Sequence, residues 1–153
     1  MLDEAIADFS LPATGNQTFR LSAQRGRGRT LILYFYPKDN TPGCTTEAGQ
    51  FRDLHDAFVK AGCDIYGISR DSLKSHENFK AKLGLPFDLL VDAEEIACTL
   101  FGVIKQKTLY GKQVRGIERS TFLIDDNGIL RREWRGVKAD GHAAAVLQAI
   151  LSL

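Results

Sequence analysis

A chain of 153 residues is the right length for one hydrophobic core, so residues 1–153 are expected to form a single domain. Hydrophobic residues make up 44% and charged residues 25%, and 20 Lys and Arg against 19 Asp and Glu leave a formal net charge of +1. That balance gives no electrostatic case for nucleic acid or an anionic membrane as partner, and no apolar run approaches the length of a membrane span.

The first ten residues carry Asp3, Glu4 and Asp8 and no basic stretch leading into an apolar one, so they do not read as an export signal. Phe9 to Leu11 and Thr18 to Leu21 flank Thr14–Gly15–Asn16 and read as a hairpin. Arg25–Gly26–Arg27–Gly28–Arg29 reads as a solvated connection. Thr30 to Tyr36 is β-rich and nearly all apolar, a strand buried on both faces. Pro37 to Gly43 is a loop. Phe51, Leu54, Phe58 and Val59 then recur at helical spacing, which predicts a helix from about Pro42 to Ala61.

Cys63 to Ser69 reads as a second buried strand, and Asp71 or Ser72 caps a helix carrying Leu73, Phe79 and Leu83 that ends at Gly84 and Pro86. Phe87 to Val91 is a strand, and Glu94 to Phe101 a short helix closed by Gly102. Ser120 to Ile124 and Ile129 to Trp134 flank Asp126–Asn127–Gly128, a hairpin signal, and Ala143 to Leu151 is a terminal helix. The order predicts an α/β protein with a mixed central sheet and helices on both faces. A thioredoxin-like fold fits that order, as do other α/β domains.

The segment with the most chemistry is Pro37–Lys38–Asp39–Asn40–Thr41–Pro42–Gly43–Cys44–Thr45–Thr46–Glu47. It leaves a buried strand and opens a helix, with Thr41 suited to the N-cap and Pro42 to the first helical position. Cys44 therefore falls in the first turn, where unpaired N–H groups and the helix dipole favour an anion. A thiolate is that anion, which makes Cys44 the best nucleophile in the chain. Glu47 reads as a residue that stabilises the first turn, with a polar contact supporting the active site as the alternative. His55, His76 and His142 are scattered. His55, eleven positions after Cys44, lies roughly 16 Å further along a continuous helix and is out of reach as a base. No Cys/His spacing suggests a structural zinc, and no Cys-x-x-Cys motif is present.

The order Pro37, three residues, Thr41, two residues, Cys44 resembles the peroxidatic-cysteine motif of the peroxiredoxins. TPGCTTE, preceded by YFYPKDN, resembles more narrowly their peroxiredoxin Q branch, also called bacterioferritin comigratory protein. The likeness continues through Gly67–Ile68–Ser69–Arg70–Asp71, Lys74–Ser75–His76, Tyr110–Gly111–Lys112 and Arg119–Ser120–Thr121–Phe122–Leu123–Ile124–Asp125. The resemblance implies a thioredoxin-like fold and a thiol peroxidase that reduces hydrogen peroxide and organic hydroperoxides through a Cys44 sulfenic acid. It implies that Thr41 bonds sulfur and peroxide, that Pro37 packs over the pocket, and that Arg119 stabilises the thiolate and the leaving oxygen. Backbone N–H groups of Gly43 and Cys44 would serve the same end. No metal, haem or flavin is required. A monomer in the cytoplasm, working with thioredoxin, glutaredoxin or glutathione as reductant, is the implied setting.

Many members of the family carry a resolving cysteine at the position of Gly49 or at that of Lys80, and neither residue can form a disulfide. Cys63 opens a buried strand, and Cys98 lies among Ile96, Leu100 and Phe101, where a thiol packs as a small hydrophobe. The expectation is a one-cysteine cycle closed by an external thiol, with Cys98 as the alternative resolving residue. A peroxide sensor signalling through Cys44 oxidation is the competing reading from another class.

Overall fold

The computed structural model describes residues 1–153. In chain order its elements are β1 (Ser10–Ala13), β2 (Gln17–Arg20), β3 (Thr30–Phe35), α1 (Pro42–Asp53), α2 (His55–Lys60), β4 (Cys63–Ser69), α3 (Leu73–Leu83), β5 (Asp88–Val91), α4 (Ile96–Phe101), β6 (Ile104–Leu109), β7 (Lys112–Ile117), β8 (Ser120–Ile124), β9 (Leu130–Arg135) and α5 (His142–Leu151). Seven strands form one mixed sheet in the order β2-β1-β5-β4-β3-β8-β9. β3, β4 and β5 run parallel, and β1 and β8 pair antiparallel on either side of them. This is the α/β, thioredoxin-like arrangement expected from the sequence. No helix is long and apolar enough to cross a membrane.

β3 explains why the strand is apolar throughout. Leu31, Leu33 and Phe35 enter one core with Ile68, Leu90 and Phe122 and with Ala97, Cys98 and Phe101 of α4. Ile32, Tyr34 and Tyr36 enter the other, with Cys44 and Phe51 of α1, Phe58 of α2, Phe79 of α3 and Val146 of α5. A two-residue period with both faces covered leaves no position for a polar side chain. Each large apolar side chain so buried contributes about 1.5–3 kcal/mol relative to exposure. Close packing also fixes Gly67 on β4: a Cβ there would stand 2.8 Å from the Tyr34 ring and 2.8 Å from Leu89.

Two expectations change. The helix foreseen from Pro42 to Ala61 bends at Leu54, whose φ of −99° and ψ of 4° separate α1 from α2. The i−4 hydrogen bonds Leu54 N–H to Gln50 and Phe58 N–H to Leu54 persist across the bend. The rod therefore turns without stopping, and Phe51 and Phe58, seven residues apart, meet with ring centroids 5.8 Å apart. The second change is an additional hairpin, β6–β7, which pairs Ile104 with Ile117 at its base and Leu109 with Lys112 at its tip. Its side chains are exposed on both faces beyond the base, so no hydrophobic period announced it.

A buried polar cluster ties the loop before α1 to α3. The Tyr36 hydroxyl donates to Asp39 Oδ1 at 2.6 Å, and the Ser75 hydroxyl donates to Oδ2 at 2.7 Å. His76, fully buried, places Nδ1 2.7 Å from the same Oδ2 and Nε2 2.8 Å from the Leu90 carbonyl. Because a carbonyl only accepts, Nε2 carries a hydrogen, and a proton must also lie between Nδ1 and Asp39. The Asp39 N–H donates to Asp71 Oδ2 at 2.9 Å. Burial pushes the Asp39 carboxyl up, but the hydrogen bonds from His76 and Tyr36 outweigh it and hold the group below its ordinary value of 3.8.

Replacing His76 by Leu leaves that carboxylate buried without its main partner. Urea unfolding at pH 7 is expected to show a loss of roughly 3–5 kcal/mol. Since the folded pKa is depressed, the Asp39 contribution is present above 3.8 and disappears as pH falls through the lower folded value. The acid limb of the stability curve should therefore flatten in His76→Leu.

Candidate active site

The site is assembled where β3 ends. The chain leaves Tyr36, passes Pro37 to Thr41 and enters α1, so Cys44 is the third helical residue and is only 2% exposed. A thiol there faces the electropositive end of a twelve-residue helix. β8 lies antiparallel beside β3 with Ser120 opposite Phe35. That register delivers the preceding residue, Arg119, to the same end of the sheet, although it is 75 positions from Cys44.

Arg119 Nη2 lies 3.5 Å from Cys44 Sγ, and Nη1 lies 2.6 Å from Glu47 Oε1. One rigid guanidinium fork therefore spans the sulfur and a carboxylate. The close approach depends on Gly43, where a Cβ would meet Nη2 at 3.1 Å. Glu47 is fully buried, and its Oε2 has no hydrogen-bond partner in the protein. Burial pushes its carboxyl up to about 7, with the charge and hydrogen bond of Arg119 pulling it down. Of the two readings of Glu47, the first-turn one gives way: the residue lies in the second turn and makes the polar contact with the site that was the alternative. Its spacing of three from Cys44, which places both on one helix face, is the signal that favours that alternative.

The other expected residues fall around this centre. Thr41 occupies the N-cap position but makes no side-chain cap bond, and its hydroxyl donates instead to the Lys38 carbonyl at 2.8 Å. Pro37 stands exposed at the end of the strand. On the inner side, His142 of α5 was not foreseen: its Nε2 lies 2.7 Å from the Thr121 hydroxyl. Burial, helped by the charge of Arg119, pushes the imidazole down to about 4, so it is neutral at pH 7. Tyr34 stacks on Phe51 beneath the helix with a centroid distance of 4.6 Å.

The remaining thiols lie elsewhere. Cys98 is completely buried in the core on the opposite face of the sheet from Cys44. Burial and the neighbouring Asp92 push its thiol far up. Cys63 shares the Cys44 face but pairs with Thr30 at the far end of β3, five residue steps or roughly 17 Å from Phe35. Burial pushes its thiol up to about 11. A disulfide needs Cα atoms within about 7 Å; all three cysteines are free here, with Cys98 across the sheet from Cys44 and Cys63 at the far end of β3.

Comparison with known proteins places the chain. The AhpC/TSA family model matches residues 2–133. Peroxiredoxin Bcp of Xanthomonas campestris pv. campestris is 50% identical over 98% of this chain and 94% of its own length. Peroxiredoxin Bcp of Bacillus subtilis is 49% identical over 97% and 94%. Among solved structures, a Xanthomonas campestris bacterioferritin comigratory protein, studied for its alkyl peroxide reduction activity, superimposes with a TM-score of 0.88 at 51% identity, covering 94% of this chain and 90% of that one. With similarity over almost the whole length, the chain belongs to the AhpC/TSA family, in its peroxiredoxin Q or bacterioferritin comigratory protein branch, and is a thiol peroxidase.

Proposed function

We propose that Cys44 is the peroxidatic residue and that its cycle is closed by an external thiol. The thiolate attacks one oxygen of the peroxide, the O–O bond breaks, and the electron pair leaves with the second oxygen, which takes up a proton. The products are Cys44 sulfenic acid and water or an alcohol. The observation that carries this reading is the Arg119 fork, which stands 3.5 Å from the sulfur and is fixed from behind by Glu47 at 2.6 Å. Its charge favours the thiolate and offsets the charge that grows on the departing oxygen, and being held in place it needs no reorganisation during the reaction.

Thr41 has a narrower role in this reading than bonding both partners. Its hydrogen points to Lys38, so its oxygen is free to accept the O–H of the incoming peroxide and orient it. The N–H groups of Gly43 and Cys44 belong to the first helical turn and are the further donors. Pro37 sits at the entrance. Hydrogen peroxide and organic hydroperoxides are both taken as substrates, in line with the alkyl peroxide reduction studied in the Xanthomonas protein. Thioredoxin, glutaredoxin or glutathione supplies the electrons, because the two other thiols are remote from Cys44. A monomer is taken as the active unit. Three unpaired cysteines suit the cytoplasm, where thiols stay reduced.

Cys44→Ser is expected to abolish peroxide consumption in a coupled assay with a thiol reductant, whereas a Cys63→Ala, Cys98→Ala double variant keeps turning over. An intramolecular disulfide seen by mass spectrometry after one equivalent of peroxide would overturn the one-cysteine cycle, and turnover halting after a single oxidation would favour a sensor. Arg119→Met should slow Cys44 oxidation by roughly 10²–10³-fold.

Glu47 predicts a pH signature. Ionising it as pH rises through about 7 strengthens its hold on Arg119, so the oxidation rate should rise across that range. In Glu47→Gln, stopped-flow rates between pH 5.5 and 8.5 should lose this inflection.

A further inference from the structure

The β6–β7 hairpin is unused by the chemistry and carries charge of one sign only. Between Ile104 and Ile117 it holds Lys105, Lys107, Lys112 and Arg115 and no acidic residue. With four of the 20 basic residues here and none of the 19 acidic ones, the rest of the chain is net negative.

The register sorts these side chains by face. Lys105 pairs with Gly116, Lys107 with Val114 and Leu109 with Lys112, so three lysines, Leu109 and Val114 share one face. All five are exposed, Leu109 at 53% and Val114 at 44%, and none of the lysines forms an ion pair. The other face anchors the ribbon. Ile104 and Ile117 pack on the core, Arg115 is clamped to Glu95 together with Arg70, and Gln113 donates to the Thr108 hydroxyl. Tyr110, 95% exposed, stands at the tip in a tight turn with Gly111. The ribbon is about 20 Å long. Its base leads through Glu118 directly into Arg119, so it rises from the edge of the active site.

We infer that this face is the docking surface for the reductant, and that the reductant is a dithiol protein with an acidic surface. The inference rests on the external-thiol cycle proposed above. Three unpaired lysines interleaved with two apolar side chains over about 20 Å match the footprint of a protein better than that of a small thiol. The unpaired lysines make an acidic surface the complement of this face, and the exposed Leu109 and Val114 between them suit a protein better than a phosphate backbone. Once docked, one thiol of the partner attacks the sulfur of Cys44 sulfenic acid, releasing water and forming a mixed disulfide. Its second thiol then attacks that bond, releasing Cys44 as the thiol and leaving the partner oxidised.

The test is a Lys105→Glu, Lys107→Glu, Lys112→Glu variant, whose changes lie on the exposed ribbon away from the core. Reduction of Cys44 sulfenic acid is followed with a thioredoxin of net negative charge and, separately, with dithiothreitol. The thioredoxin rate constant is expected to fall at least about tenfold at low ionic strength and to lose its decline with added salt. Oxidation by peroxide and reduction by dithiothreitol should be unchanged. An unchanged thioredoxin rate would overturn the inference, as would an equal loss with dithiothreitol, which would place the damage in the site itself. If the wild type bound a 20-base-pair DNA duplex at 0.15 M salt and the variant did not, with thioredoxin kinetics unaltered, the face would belong to nucleic acid and the inference would also fall. If neither reductant regenerated wild-type Cys44, the external-thiol cycle itself would fail.

Discussion

One guanidinium held between a sulfur and a buried carboxylate is the interaction on which the site depends. Arg119 reaches Cys44 and Glu47 together, and each contact restricts the other. Glu47 is not comfortable alone in that position, since burial by itself drives its carboxyl toward its neutral form. The fork makes the pair tolerable, and the pair fixes the fork. The backbone makes its own concession, because Gly43 leaves room that a side chain would fill.

That geometry exists only because β8 lies antiparallel to β3 with Ser120 opposite Phe35. A shift of one residue would turn each β8 side chain to the opposite face and carry Arg119 away from the helix. The register is fixed by the two cores, with Phe122 and Ile124 on one side and Leu123 on the other. Packing far from the chemistry therefore decides where the charge of Arg119 sits. On the other flank, Asp39 and its partners Tyr36, Ser75 and His76 bind the preceding loop to α3.

The sheet also partitions the thiols. Cys44 and Cys98 belong to cores on opposite faces, and Cys63 sits at the opposite end of the strands from Cys44. A sulfenic acid at Cys44 is thus separated from both by packed side chains or by the length of a strand, which is what supports the proposed external thiol. This gives the exposed ribbon beside Arg119 its interest, since a visiting protein needs a place to hold while sulfur chemistry proceeds.

The local elements were legible because their signals are local. Apolar runs marked β3, β4 and β8, Ser72 marked the start of α3 with a hydroxyl that accepts from the Ser75 N–H, and Pro42 marked the start of α1. The cysteine in a first helical turn was legible for the same reason, and Arg119 was reached through resemblance. What the tertiary structure alone decided concerns groups that meet across the chain. Glu47 read first as a helix residue, with a site contact only as the alternative, because nothing in its neighbourhood shows that Arg119 will arrive from 72 positions away. The ribbon from Ile104 to Ile117 went unseen because both its faces meet water, which leaves no apolar period to read. The separation of Cys98 from Cys44 depends on which face of the sheet each helix covers. Residue type and spacing set what a segment can form, whereas strand order and register set which charges and thiols come within reach of one another.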